Sequence, residues 1–315
     1  MLREILIIIV FILLPLQVWA ACTDQGSPYT YYVSDGGSGN CLSSGTPGSF
    51  SDVWSVVGPG DTVIALDGDG VYTGSANMIL PPAGLNRSNG SPITISAETD
   101  GGILLDGQDT YNTVHLTGND WWVIEGFNAT DSYNQAVYRI SSGSDNNIIR
   151  RCIGWDAPPD PGAGGHGIFS TSGANTLFED CAGFGQARKT FSSSQAGVDS
   201  NNTFRRCWGR WEQYATIGPK MTLTMEYNNE GLLVENGIFS IDPQANTDQD
   251  NFGVVSYDTT VYGNGSLLGS IVYIENGTTL YQWDDGIQLG AIPNFTLKNV
   301  AVYIGTTVSL TGYSI

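Results

Sequence analysis

Three short segments place basic side chains at matching positions. GGHGIFS (Gly164–Ser170), ARKTFSS (Ala187–Ser193) and PKMTLT (Pro219–Thr224) each carry a basic residue three positions before a bulky apolar one. So aligned, His166, Arg188 and Lys220 form one column above Phe169, Phe191 and Leu223. Lys189, one position along, faces the other way in an extended chain. Such a set suits removal of a proton from a carbon beside a carboxylate. Cations or hydrogen-bond donors must first stabilise the charge that develops on the carboxylate. A base must then reach the proton. Lys189 is a candidate base, because Arg188 beside it disfavours the ammonium form. His166 is another, since imidazole titrates near neutrality unaided. Arg188 and Lys220 are the candidate charge stabilisers, and Arg210, Trp211, Tyr214 and Trp155, with Glu212, are candidate substrate contacts on the same face.

These residues are held by a repeat. NNIIRRCIGW (Asn146–Trp155) returns as ANTLFEDCAGF (Ala174–Phe184) and as NNTFRRCWGRW (Asn201–Trp211). Cys152, Cys181 and Cys207 stand 29 and then 26 residues apart. A period of this size with strand-type alternation inside each unit signals a solenoid. No run is long and helix-periodic enough for helical repeats, so a β-helix is expected. In a strand, Ile148, Arg150 and Cys152 face one way and Ile149 and Arg151 the other. With the Cys side inward, the three thiols stack coil on coil roughly 4.8 Å apart.

The 315 residues hold 31 acids against 12 bases, a net charge of −19, with 41 Gly and 14% charged residues. This is a turn-rich β composition, not that of a disordered chain. Residues 1–20 read as a signal peptide: Arg3, the apolar run Ile5–Leu16, and Val18-Trp19-Ala20 before a cleavage point. The expected location is extracellular or periplasmic, with no membrane association after cleavage and no nucleic-acid partner. Cys22 and Cys41 flank the mature N-terminus and are placed for a disulfide. Cys152, Cys181 and Cys207 fit a reduced internal ladder, and lack zinc-type spacing.

Residues 21–48 form an N-terminal lead-in. From 49 to 315 the chain reads as an all-β right-handed parallel β-helix of about nine coils, capped by a short helix over Ser49–Val57. The chain stops at Gly312-Tyr313-Ser314-Ile315 in mid-pattern, which implies a further C-terminal part or an end-to-end, oligomeric contact.

PGDTVIALDGDGVYTG after a short helix, then SPITI, DGQ, DWWVIEGF and the repeated NN-x-x-RRC rows, resembles the pectate-lyase-like right-handed parallel β-helix superfamily over residues 29–305. That superfamily includes lyases, hydrolases, esterases, adhesins and phage tailspikes, so the resemblance is specific for fold. It implies an extracellular polysaccharide as partner. For a uronate-containing polymer, it implies a β-elimination in which Lys, Arg, His or Tyr is the base. It also implies calcium as a usual neutraliser, with Asp156 and Asp160 as candidate ligands, and aromatic platforms for sugar rings. The hydrolases of this superfamily use NTD, DD, GHG and RIK in that order. Here Gly165-His166-Gly167 comes first, Asn246-Thr247-Asp248 second, Asp284-Asp285 third, and RIK is absent. A hydrolase would need a different pair, such as Asp242 with Asp248 or Asp250. A non-catalytic glycan-binding or structural solenoid is the other alternative, favoured by the Asn, Thr, Ser and Gly of Tyr257–Thr279. Nine of the twelve bases lie between Arg139 and Lys220. The Arg-Arg pairs among them are expected to meet acids such as Glu179 and Asp180 on neighbouring coils.

Overall fold

The left-handed backbone region explains the repeated phrase. Asn146, Asn175 and Asn201 have φ of 60°, 53° and 44°, and Arg151, Asp180 and Arg206, each just before a Cys, have φ of 52°, 54° and 52°. Asn adopts this region more readily than most residues, so it recurs at the first bend. The second bend divides each phrase into two strands. Ile148–Arg150 and Ile153–Trp155 lie on different faces with a two-residue corner between them. This corrects the single-strand alternation. Ile149 and Cys152 both point inward, and Ile148 and Arg150 point outward, because the corner at Arg151 resets the pattern.

In the computed structural model these strands stack into a parallel β-helix with three faces of ten, nine and seven strands. The structure describes residues 22–310 other than 69, 86–90, 134–135, 158–166, 195–199, 213–219, 227–229, 242–250, 258–263, 276–278, 281–284, 290–293 and 306–308. For Lys220, Asn251–Tyr257, Thr279, Leu280, Asp285, Gly286, Gln288, Leu289, Ile304, Ser309 and Leu310 it describes the backbone alone. Face 1 runs from Thr30–Val33 to Asn294–Lys298, and face 2 from Val71–Thr73 to Ala301–Ile304. Face 3 runs from Val114–Leu116 to Asp285–Leu289. About seven turns carry all three strands rather than nine, since the end rungs of faces 1 and 2 have no face-3 counterpart among the described residues.

The interior is made of like residues in register. Phe169 pairs with Phe191, and Phe191 with Leu223, as the sequence alignment requires. Tyr138, Phe169 and Phe191 stack with ring centroids 4.6 and 4.9 Å apart. Cys152, Cys181 and Cys207 are buried and unbonded, and their thiols donate to the carbonyls of Arg150, Glu179 and Arg205 at 3.3, 3.4 and 3.6 Å. Burial pushes the Cys152 and Cys181 thiols up. Two residues after each Cys stands a Gly with no room for a side chain. A Cβ on Gly154, Gly183 or Gly209 would lie 2.5, 2.7 or 2.8 Å from Ile168, Thr190 or Thr222.

The N-terminal end is closed by Phe50–Val53, a helix shorter than expected and capped by reciprocal bonds between Ser49 and Asp52. Phe50, Val53, Trp54 and Val57 nevertheless keep helical spacing and are all buried. Trp54 meets Trp122 edge-on. Cys22 and Cys41 are joined in a disulfide beside this end.

Because the glycine after each Cys is held by the opposing interior, Gly183→Ala should destabilise the protein by about 1–3 kcal/mol through overpacking. Chemical denaturation of the two proteins measures this directly, and an unchanged midpoint would refute the close-packing account.

Candidate functional site on the outer side of face 3

Face 3 is bordered by the variable part of the chain. From Cys152 to Gly167 is 15 residues, from Cys181 to Lys189 is 8, and from Cys207 to Met221 is 14. Gly167, Lys189 and Met221 are nonetheless partners in one ladder. In these three coils differences in repeat length are thus absorbed next to face 3, while the corner between faces 1 and 2 keeps its two residues.

The outer side of face 3 carries two rows. His115 pairs with Arg139, Arg139 with Ser170, Ser170 with Ser192, and Ser192 with Thr224. Val114, Leu116, Tyr138, Ile140, Phe169 and Thr171 on either side are buried, so this row points outward. Ser192 donates to Ser170 at 2.9 Å. The second row holds Gly167, Lys189 and Met221. A Cβ on Gly167 would stand 3.7 Å from Ser170 and 3.8 Å from Ser192, which puts this row on the same side. Ile168 with Phe169, and Thr190 with Phe191, are successive buried residues between the two rows, so the strands depart from strict alternation here.

Lys189 is only 5% exposed, and its ammonium is paired with the buried carboxylate of Glu226 at the far end of Lys220–Glu226. Burial pushes the Lys189 ammonium below its usual range. Glu226 opposes that shift, and Arg188 adds to it. Arg188 is half-buried, and its carbonyl accepts from Met221 at 3.0 Å, which sets Arg188 beside Lys220 on the next coil. At the start of the row, burial and then Arg139 push His115 down to about 4, so it is neutral at ordinary pH. Its Nε2 bonds with Ser141 at 2.7 Å and Thr117 at 3.0 Å. His115 reads in the sequence as a plain strand residue. Only its register with Arg139 reveals the row.

Other expected contacts do not gather here. Trp211 is 1% exposed, packs with Ile241 and Ile274, and donates its indole N–H to Ala187 at 2.7 Å, so it offers no ring face to a ligand. Arg210 lies on face 2, held between Glu212 and Glu275. Trp155 also lies on the outer side of face 2, stacked on Phe184 at 5.9 Å. His166, Asp160, Tyr214, Asp242, Asp248 and Asp250 lie outside the described residues. Asp156 accepts the Gln186 N–H at 2.8 Å. Among the described residues no three His, Cys, Asp or Glu side chains gather to hold a metal ion.

The remaining arginines are pinned as expected. Glu125, Arg150, Glu179, Arg205 and Glu235 form one column of alternating sign on face 1. At the corner, Arg151 pairs with Asp100, and Arg206 with Asp180 and Glu179.

No family model and no curated protein matches this chain. Its fold is a parallel β-helix, and two solved structures share it. It is similar to a rhamnogalacturonan lyase at 17% identity, over 78% of this chain and 69% of that one, with a TM-score of 0.57. It is also similar to pectate lyase Pel9A at 15% identity, over 92% and 79%, with a TM-score of 0.56. Both likenesses are of fold.

Removing Glu226 leaves the Lys189 ammonium buried without its anion. Glu226→Gln should therefore cost about 3–5 kcal/mol of stability, whereas Arg206→Gln at the exposed corner should cost far less. Denaturation of both variants would show whether the buried pair carries this difference.

Proposed function

We propose that this chain is an exported polysaccharide lyase that cleaves a uronate-containing polymer lying along the outer side of face 3. The observation that carries this is the buried Lys189–Glu226 pair on the outer side of a solenoid. The core lies on the other side, so packing does not require a buried charge there, and desolvating one costs several kcal/mol. Depressed lysines of this kind recur where a base is needed. Likeness of fold to a rhamnogalacturonan lyase and a pectate lyase supports the same chemistry. Export is supported by the sequence of residues 1–20 and by the Cys22–Cys41 disulfide, which belongs to an oxidising compartment.

In the proposed reaction the neutral Lys189 amine takes the proton at C5 of a uronate. The released electron pair forms the C4–C5 double bond, the C4–oxygen bond breaks, and the departing oxygen is protonated. Arg188 and Lys220 neutralise the uronate carboxylate as charge develops. A glycan-binding solenoid without turnover is the second reading. It is favoured by the near-complete burial of Lys189.

Ultraviolet monitoring of pectate, rhamnogalacturonan and alginate, with and without calcium, should show unsaturated products from one polymer. Lys189→Ala should lower that rate at least 100-fold. Silence on every polymer from folded protein would favour the binding reading.

The base acts as the free amine, so the rate should rise with pH as Lys189 loses its proton. Burial and Arg188 outweigh Glu226, so this rise should fall below the ordinary lysine value of 10.5. Glu226→Gln removes the opposing effect and should move the rise to lower pH. A pH profile unchanged in that variant would argue against Lys189 as the base.

A further inference from the structure

Arg139 departs from the pattern set by five arginines of this region. Arg150, Arg151, Arg205, Arg206 and Arg210 each meet a carboxylate one or two coils away. The column neighbours of Arg139 are His115 and Ser170, and neither is an acid. Arg139 is half-buried, and among the described residues no carboxylate or other acceptor pairs with it. Its partial burial disfavours the guanidinium charge without a compensating ion. A half-desolvated cation with no anion is costly to the fold, and a ligand that brings the anion removes the cost.

The neighbours suit that ligand. His115 is uncharged, so it does not compete as a second cation. Ser170 accepts from Ser192, which leaves its own proton for a ligand oxygen. Further along the same row Ser192 and Thr224 are almost wholly buried, so Ser170 is the hydroxyl beside Arg139 that a ligand reaches. The row therefore presents a planar, five-donor cation followed, one coil on and about 4.8 Å away, by the Ser170 hydroxyl. A sugar unit bearing a carboxylate and hydroxyls matches this order. Guanidinium is the side chain suited to bidentate carboxylate recognition.

We infer that Arg139 is the carboxylate-recognition residue of a uronate subsite on the outer side of face 3, with Ser170 binding the same sugar unit. This inference rests on the acidic polysaccharide proposed above as ligand, but not on turnover.

Binding of polygalacturonate and alginate, each beside its methyl-esterified form, tests it by titration calorimetry. Arg139→Gln should weaken binding of one acidic polymer at least tenfold and leave its ester unaffected, with Arg139→Lys intermediate. Arg206→Gln should bind as the unaltered protein does. Arg139→Gln should also unfold at the same or a higher temperature, because it removes an unpaired, half-buried charge. A marked fall in unfolding temperature would instead make Arg139 structural and overturn the subsite. Undiminished binding in Arg139→Gln, equal loss for polymer and ester, or no binding of either polymer by the unaltered protein would overturn it too. Arg139-dependent binding without unsaturated product would sustain the subsite while defeating the lyase.

Discussion

Every residue of a parallel solenoid has its counterpart one coil away, about 4.8 Å above and below. The remainder of this structure depends on that constraint. Inside, it makes like stack on like: Tyr138 on Phe169 on Phe191, Phe178 on Phe204, and a file of three thiols. Outside, the same stacking would set charge against like charge if the repeat were perfect. The middle copy therefore reads Glu-Asp where its neighbours read Arg-Arg. Exposed pairs of this kind contribute little each. Their main effect is to replace the repulsion that identical rows would suffer.

Seen against these neutralised columns, the charges of face 3 are exceptional. Lys189 has found an acid, but only by burial together with it at the far end of the next strand. Arg139 has a neutral histidine and a serine for neighbours. Both spend stability on the side of the sheet where the core gains nothing from them. Sites built for a ligand commonly carry such a cost, which the bound state relieves.

The sequence made the solenoid legible because the constraint writes itself into spacing: Cys to Cys, Phe169 to Phe191 to Leu223, and Arg-Arg to Glu-Asp. It misled where backbone conformation overrides alternation. Nothing in Ile148–Cys152 announces that Arg151 turns left-handed, so Ile149 and Cys152 were set on opposite sides when both are core. The candidate site was legible in part. Lys189 and Arg188 were found by alignment of linking segments, whereas Arg139 and His115 were not, because a single base in an apolar strand has no motif. Trp211 shows the same limit: an aromatic residue near the basic column reads as a sugar platform, and only burial reveals it as packing.

The two-residue corner between faces 1 and 2 gives this chain a further property. A residue added at Arg151–Cys152 would turn the following strand over and expose its inward side chains. The segments leading into face 3 already differ by as much as seven residues, 15 against 8, with no loss of register. In the coils that carry the Cys phrase, faces 1 and 2 thus act as a fixed chassis, and the border of face 3 is where foreign segments can be grafted. New specificities can be sought there coil by coil, with the fold left as it stands.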